Sequence, residues 1–150
     1  MTQYYGWYIR GAKIIRDILT RRKTVETRFN RRLDAVAGTM ADPKWSFIIQ
    51  SGRKTGPRIV ALCMVSHGAV VSPEWFDRYR NCHQITPDSP WYPKDGRSKH
   101  LYNLCSVIEL PEPIQIPPIR GGNRTYRDVT EYITPELAEL IAELDRDWKA

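Results

Sequence analysis

A chain of 150 residues with 41% hydrophobic and 27% charged residues is long enough to bury one core and too apolar to stay disordered. Its three cysteines form no CxxC pair and no even framework, which excludes a disulfide scaffold and suits a reducing compartment. No apolar run approaches the roughly 20 residues of a membrane span, and the start, MTQYYGWYIR, lacks the apolar core of a secretory signal. These features predict a cytoplasmic protein without membrane contact, organised as one domain over residues 1–150.

The net charge of +6 is unevenly placed. Residues 1–34 carry nine lysines and arginines against three carboxylates, whereas residues 128–150 carry seven carboxylates against two cations. A basic first quarter attracts polyanions, which points to a nucleic acid as partner.

In chain order, residues 4–10 are aromatic and extended in character, and residues 12–19 place Ile14, Ile15, Ile18 and Leu19 at helical spacing. KTVETRF at 23–29 reads as a strand. Residues 30–44, polar and holding Gly38 and Pro43, read as a loop. WSFIIQ at 45–50 and RIVALCMVS at 58–66 read as buried strands separated by the turn-rich SGRKTGP. Residues 73–80 suit a short helix with Pro73 at its first position. Residues 86–98, with Pro87, Pro90, Pro93 and Gly96 around Trp91 and Tyr92, form a loop. A strand resumes at 101–110 and PEPIQIPPI stays extended, because its prolines forbid helix. Gly121-Gly122 suggests a turn before a short strand at 124–130. Thr134 can cap a helix over 134–148, with Pro135 and Glu136 in its first turn and Leu137, Leu140, Ile141, Leu144 and Trp148 as an inward stripe. About six strands with short flanking helices give an α+β, barrel-like domain. Its core spans about residues 4–128. Cys63 and Cys105 are expected to be small core residues inside strands.

The informative stretch joins the first helix to KTVETR. Strand alternation puts Thr24, Glu26 and Arg28 on one face and Val25, Thr27 and Phe29 on the other. Lys23 sits at the junction, and a carboxylate between two cations stays ionised and orients both. This arrangement resembles the ASCH domain family, a branch of the PUA-like fold, whose pattern is Gly-x-Lys-x-x-Glu-x-Arg after a short helix. Here Arg-Arg-Lys-Thr-Val-Glu-Thr-Arg stands at 21–28, so Lys23, Glu26 and Arg28 match and Arg21 replaces the glycine. GWYIR and HLYNLCSVIELPEPIQI are similar to the family's first and late strands.

The resemblance implies a small PUA-like β-barrel with a cleft beside the motif, binding RNA or a modified nucleobase or nucleoside. It also implies an alternative, since some members are ribonucleases and others remove the acyl group of N4-acetylcytidine. The lysine of that amidohydrolase group would fall on Lys23, whereas its threonine three residues later is replaced by Glu26. Lys23 and Glu26 are thus the candidate catalytic pair should the protein be a hydrolase. The candidate ligand-binding set is Lys23, Glu26 and Arg28 with the aromatics Trp7, Tyr8, Trp91 and Tyr92. Arg21, Arg22, Arg31 and Arg32 are candidate phosphate contacts.

No cofactor is called for. Cys63 with His67, Cys82 with His83 and His100 with Cys105 lack zinc spacing, so no metal site is expected. A reading from another class is a protein-interaction module using the acidic C-terminal helix.

Overall fold

The computed structural model describes residues 2–52, 56–119 and 125–150. Six strands, β1 (Tyr5–Arg10), β2 (Val25–Arg28), β3 (Lys44–Ser51), β4 (Arg58–Val71), β5 (Lys99–Gln115) and β6 (Tyr126–Asp128), form one sheet in the order β2-β5-β4-β3-β1-β6. Only the β1–β3 pairing is parallel among these neighbours. The helices are α1 (Ala12–Leu19), α2 (Pro73–Phe76), α3 (Arg80–His83) and α4 (Pro135–Lys149).

β4 and β5 are the long central strands, and their ladder shifts register between Ile59 and Ala61, Met64 and Val65, and His67 and Ala69. Bulges bend a strand and increase its twist, and here the sheet curls into a half-barrel. The curl brings β2 towards β1 although three strands stand between them in the sheet. An Arg28 Nη2 donates to the Tyr8 carbonyl at 3.0 Å across the opening.

Both faces of the sheet are covered, which explains the near-continuous apolar runs of β3 and β4. One core gathers Trp7, Ile48, Cys63, Val65 and Tyr102 under Ile15 and Ile18 of α1 and Leu33 of a 3-10 turn at Arg32–Ala35. The other gathers Phe47, Ile49, Ile59 and Leu62 with Ile141 of α4. A third, smaller cluster joins Val25, Val71 and Leu101 to Phe76 of α2.

Several expectations are corrected. Residues 30–44 contain the 3-10 turn, because Leu33 and Val36 are core residues within an otherwise polar run. β4 continues to Val71, since it stays paired with β5 as far as Val71–Lys99. The proline-bearing stretch up to Gln115 is true strand, pairing Ile114 with Ile59 and Gln115 with Arg58. Residues 73–83 break into two short helices and a 3-10 turn. Cys63 is buried, but Cys105 is exposed: Leu104 points inward, so its neighbour points out. Along α4, Ile141 is buried, while Leu140 and Trp148 are left 38% and 52% exposed. The apolar face of α4 is broader than the surface it covers. Thr134 caps it, its Oγ1 accepting from Leu137 N. Gly121, Gly122 and Arg124 lie outside the described residues.

Among the described residues no helix is long and apolar enough to cross a membrane.

Candidate functional site

The turn between α1 and β2 sets the site. Thr20 N donates to Arg16 O and Arg21 N to Ile18 O, after which Arg21 takes the left-handed conformation with φ of 64°. Glycine adopts that conformation without strain. Arg21 therefore makes the tight turn at a cost of about 1 kcal/mol, and its Nη2 donates to Leu104 O at 2.8 Å. Lys23 N then returns to Asp17 O and Thr24 N to Cys82 O, which points the Lys23 side chain inward. Its Nζ is almost fully buried, donates to the His83 carbonyl at 2.7 Å and lies 3.5 Å from Glu26 Oε1.

Glu26 is the hub. Its Oε1 accepts from Thr27 N at 3.0 Å and its Oε2 from Arg28 Nη2 at 3.1 Å. Burial pushes its carboxyl up, but Lys23 and Arg28 outweigh that and hold it below the usual carboxylate range. The site therefore carries a buried carboxylate between two cations, an arrangement that orders both.

These groups line a cleft of about 590 Å³, bounded by β1 (Tyr8, Ile9, Arg10), α1 (Lys13, Ile14, Asp17), β2 and its approach (Lys23, Glu26, Thr27, Arg28), and the segment from His83 to Trp91. Such a volume suits a small organic ligand. Thr27 is 6% exposed and its Oγ1 is buried without a hydrogen-bond partner among the described residues. A buried hydroxyl left unpaired costs about 1–3 kcal/mol, and this one belongs to a residue at the edge of the cleft.

His83 supports the wall from behind. Its Nδ1 accepts from Ile85 N at 2.9 Å, which leaves Nε2 as the protonated nitrogen donating to Phe76 O at 2.8 Å. The ring stacks on Phe76 with centroids 4.0 Å apart. Burial, reinforced by Lys23, Arg80 and Lys99 and opposed by the Phe76 hydrogen bond, drives its pKa down to about 4.

The expected site residues divide into two groups. Lys23, Glu26, Arg28, Tyr8 and Trp91 meet in the cleft. Trp7 is fully buried, its Nε1 donates to Ser46 Oγ, and its ring lies 5.9 Å from the Arg28 guanidinium. It belongs to the core beneath the site, where no ligand can stack on it. Tyr92 does not line the cleft, since it packs edge-on against Phe76 and its hydroxyl donates to Asp77 at 2.8 Å. Arg21, Arg22, Arg31 and Arg32 are exposed and stand outside the cleft lining; Arg31 pairs with Asp34. The exposed cations that line the cleft beside Lys23 and Arg28 are Arg10 and Lys13, and Lys13 is paired with Asp17 at 2.8 Å.

Residue patterns alone weighed His83 only as a metal partner of Cys82 and gave Thr27 and Lys99 no role at the site. His83 carries no helix or strand signature, and Thr27 reads as an ordinary β-branched strand residue. Lys99 is 1% exposed, yet a lysine at a strand start gives no local signal of burial. Among the described residues no group of three or more histidines, cysteines and carboxylates is placed to hold a metal ion.

No family model and no curated protein matches the chain. Solved structures do. A serine-to-alanine variant of the ASCH protein of Zymomonas mobilis superposes with a TM-score of 0.56 at 13% identity, covering 94% of this chain and 95% of that one. A tyrosine-to-phenylalanine variant of the same protein gives 0.53 at 13% identity, covering 95% and 99%. The chain has an ASCH-like fold of the PUA-like class.

Proposed function

We propose that the cleft binds a nucleobase, presented by RNA or as a nucleoside, and that Lys23, Arg28 and Thr27 hydrogen-bond its edge while Tyr8 and Trp91 contact its face. The observation that carries this reading is the unfinished hydrogen bonding of the wall. Lys23 has three N–H donors and Arg28 five. The Arg28 Nε and Nη1 have no hydrogen-bond partner among the described residues, and the Thr27 hydroxyl is buried without one. A ligand with carbonyl or ring-nitrogen acceptors completes these groups. Trp91 is 53% exposed, and stacking of a base on such a ring is worth about 1–3 kcal/mol. The ASCH-like fold agrees with a nucleic-acid role, and the exposed arginines outside the cleft suit a phosphate backbone leading away from it.

The geometry favours binding over hydrolysis. Lys23 Nζ is committed to the His83 carbonyl and to Glu26, and a carboxyl held below its usual range is a poor general base. The test is a titration of wild type and Thr27→Val against labelled oligonucleotides and a nucleoside panel at two salt concentrations. Thr27→Val removes the unpaired hydroxyl, so folding stability should hold or rise by about 1 kcal/mol while affinity falls about tenfold. A steep salt slope assigns the ligand to RNA, and a shallow one to a nucleoside. If no ligand binds, or the valine variant binds every ligand as wild type does, the cleft is not the recognition site.

A further inference from the structure

We propose that Lys99 is the positioning residue that holds Trp91 in the cleft wall, acting from behind the loop through a hydrogen bond from its own buried side chain to the Trp91 carbonyl. Lys99 Nζ donates to Trp91 O at 2.8 Å and lies 3.8 Å from the Phe29 ring centroid and 5.7 Å from that of Phe76. Arg97 lies 4.2 Å from the same Phe29 ring. Among the described residues no carboxylate reaches ion-pair distance of Lys99. A buried ammonium without a counter-ion is costly and persists only where something else uses it. Here the use is visible: the one backbone carbonyl it satisfies belongs to the exposed aromatic residue of the cleft.

The remaining ties of this loop are weaker. Ser89 N to Thr86 O and Tyr92 N to Ser89 O are local turns, and Trp91 N donates to Ser89 Oγ. The other side-chain tie from this loop to the rest of the fold, Tyr92 hydroxyl to Asp77, is exposed. Lys99 thus makes the one hydrogen bond described between this loop and the sheet, from an ammonium on an almost fully buried side chain. Being charge-assisted, it is about twice as strong as a neutral one.

The groups facing Lys99 come from every neighbouring element: Glu26 and Arg28 of β2, Lys23 before it, Arg97 of the loop and His83 of α3. Burial lowers the Lys99 pKa, Glu26 opposes that, and Lys23, Arg28 and Arg97 add to the lowering, leaving it at about 8. The hold on Trp91 therefore weakens from pH 7 to pH 9, as a charge-assisted bond becomes a neutral one.

The consequence for affinity rests on the cleft being the binding site, but the positioning role does not, and the experiment separates them. Trypsin cleavage after Lys94 and Arg97, both exposed, reads the opening of the loop without any ligand. Lys99→Met keeps the apolar stem and removes the donor. Cleavage should rise about 10- to 100-fold, the effect of losing one hydrogen bond from a charged group, while the urea midpoint does not fall. In wild type, cleavage relative to a peptide of residues 86–98 should rise about 3- to 10-fold from pH 7 to pH 9, and Lys99→Met should show no such rise. With fluorescein-labelled decauridylate as probe, Lys99→Met and Trp91→Ala should each weaken binding, and the double variant should be no worse than the poorer single one. Unchanged cleavage in Lys99→Met overturns the proposal. If that variant does not fold, a flat pH dependence of wild-type cleavage overturns it instead. Failure of wild type to bind the probe sinks the cleft reading, and the cleavage rates still decide the role of Lys99.

Discussion

Acid should dismantle the wall of the cleft through His83 before it protonates the carboxylates at the site. The ring is locked neutral: a proton on Nδ1 would face the Ile85 N–H, turning a hydrogen bond into a clash of two donors. In the unfolded chain an imidazole titrates near 6.5, whereas in the fold His83 titrates at about 4. Between those values the unfolded state binds the proton and the folded state does not, so stability falls as pH falls. The gap of about 2.5 units at 1.36 kcal/mol per unit gives about 3 kcal/mol, present above pH 6.5 and lost by pH 4. His83→Gln removes the titration while leaving the other acidic groups in place. Urea unfolding of both proteins at pH 7, 6, 5 and 4 isolates it, because the common carboxylate terms cancel in the difference. The advantage of wild type over His83→Gln should shrink by about 3 kcal/mol from pH 7 to pH 4. A difference that does not change with pH would refute the neutral, doubly bonded imidazole. Since the His83 carbonyl holds Lys23, ligand binding should weaken over the same pH window.

Two further substitutions probe the charges. Glu26→Gln leaves the Lys23 ammonium buried with only a carbonyl partner, so urea unfolding should show a loss of about 3–5 kcal/mol, while anion affinity of the folded protein stays equal or rises; a stable variant with weaker binding would mean that Glu26 contacts the ligand itself. Should any hydrolytic turnover be found, its loss by about 10²–10⁴ in Glu26→Gln at unchanged affinity would instead make Glu26 a general base. Arg31→Glu with Arg32→Glu should flatten the salt slope for an oligonucleotide without altering nucleoside affinity, because both arginines stand outside the cleft; identical slopes at low salt would remove this region from the footprint.

Much of the fold was legible because its elements carry strong local periods. Ala12–Leu19 shows the helical spacing of isoleucines, and the α4 sequence carries its own cap, so both helices stand where the pattern puts them. The motif residues Lys23, Glu26 and Arg28 were legible because charges at the head of a β-branched strand contradict local propensity, and such contradictions concentrate at functional sites. The exposure of Cys105, the failure of α4 to bury Leu140 and Trp148, and the extension of β4 and β5 were not. Each depends on which surface the curled sheet offers, and no window of neighbouring residues contains that information.

Trp7 and Lys99 show the same limit from opposite sides. An aromatic next to Tyr8 looks like a stacking platform, and a lysine beside His100 looks like a solvated strand end. The parity of β1 sends Trp7 to the interior, where Ser46 satisfies its indole. The ladder of β5 with β4 and β2 places Lys99 beneath Phe29 and Phe76, where only a backbone carbonyl receives its ammonium. Both positions follow from strand pairing over long sequence separations rather than from local composition. A buried cation without a carboxylate is thus a feature that only the assembled fold can expose. In this protein it ties the strand behind the cleft to the one exposed tryptophan that lines it.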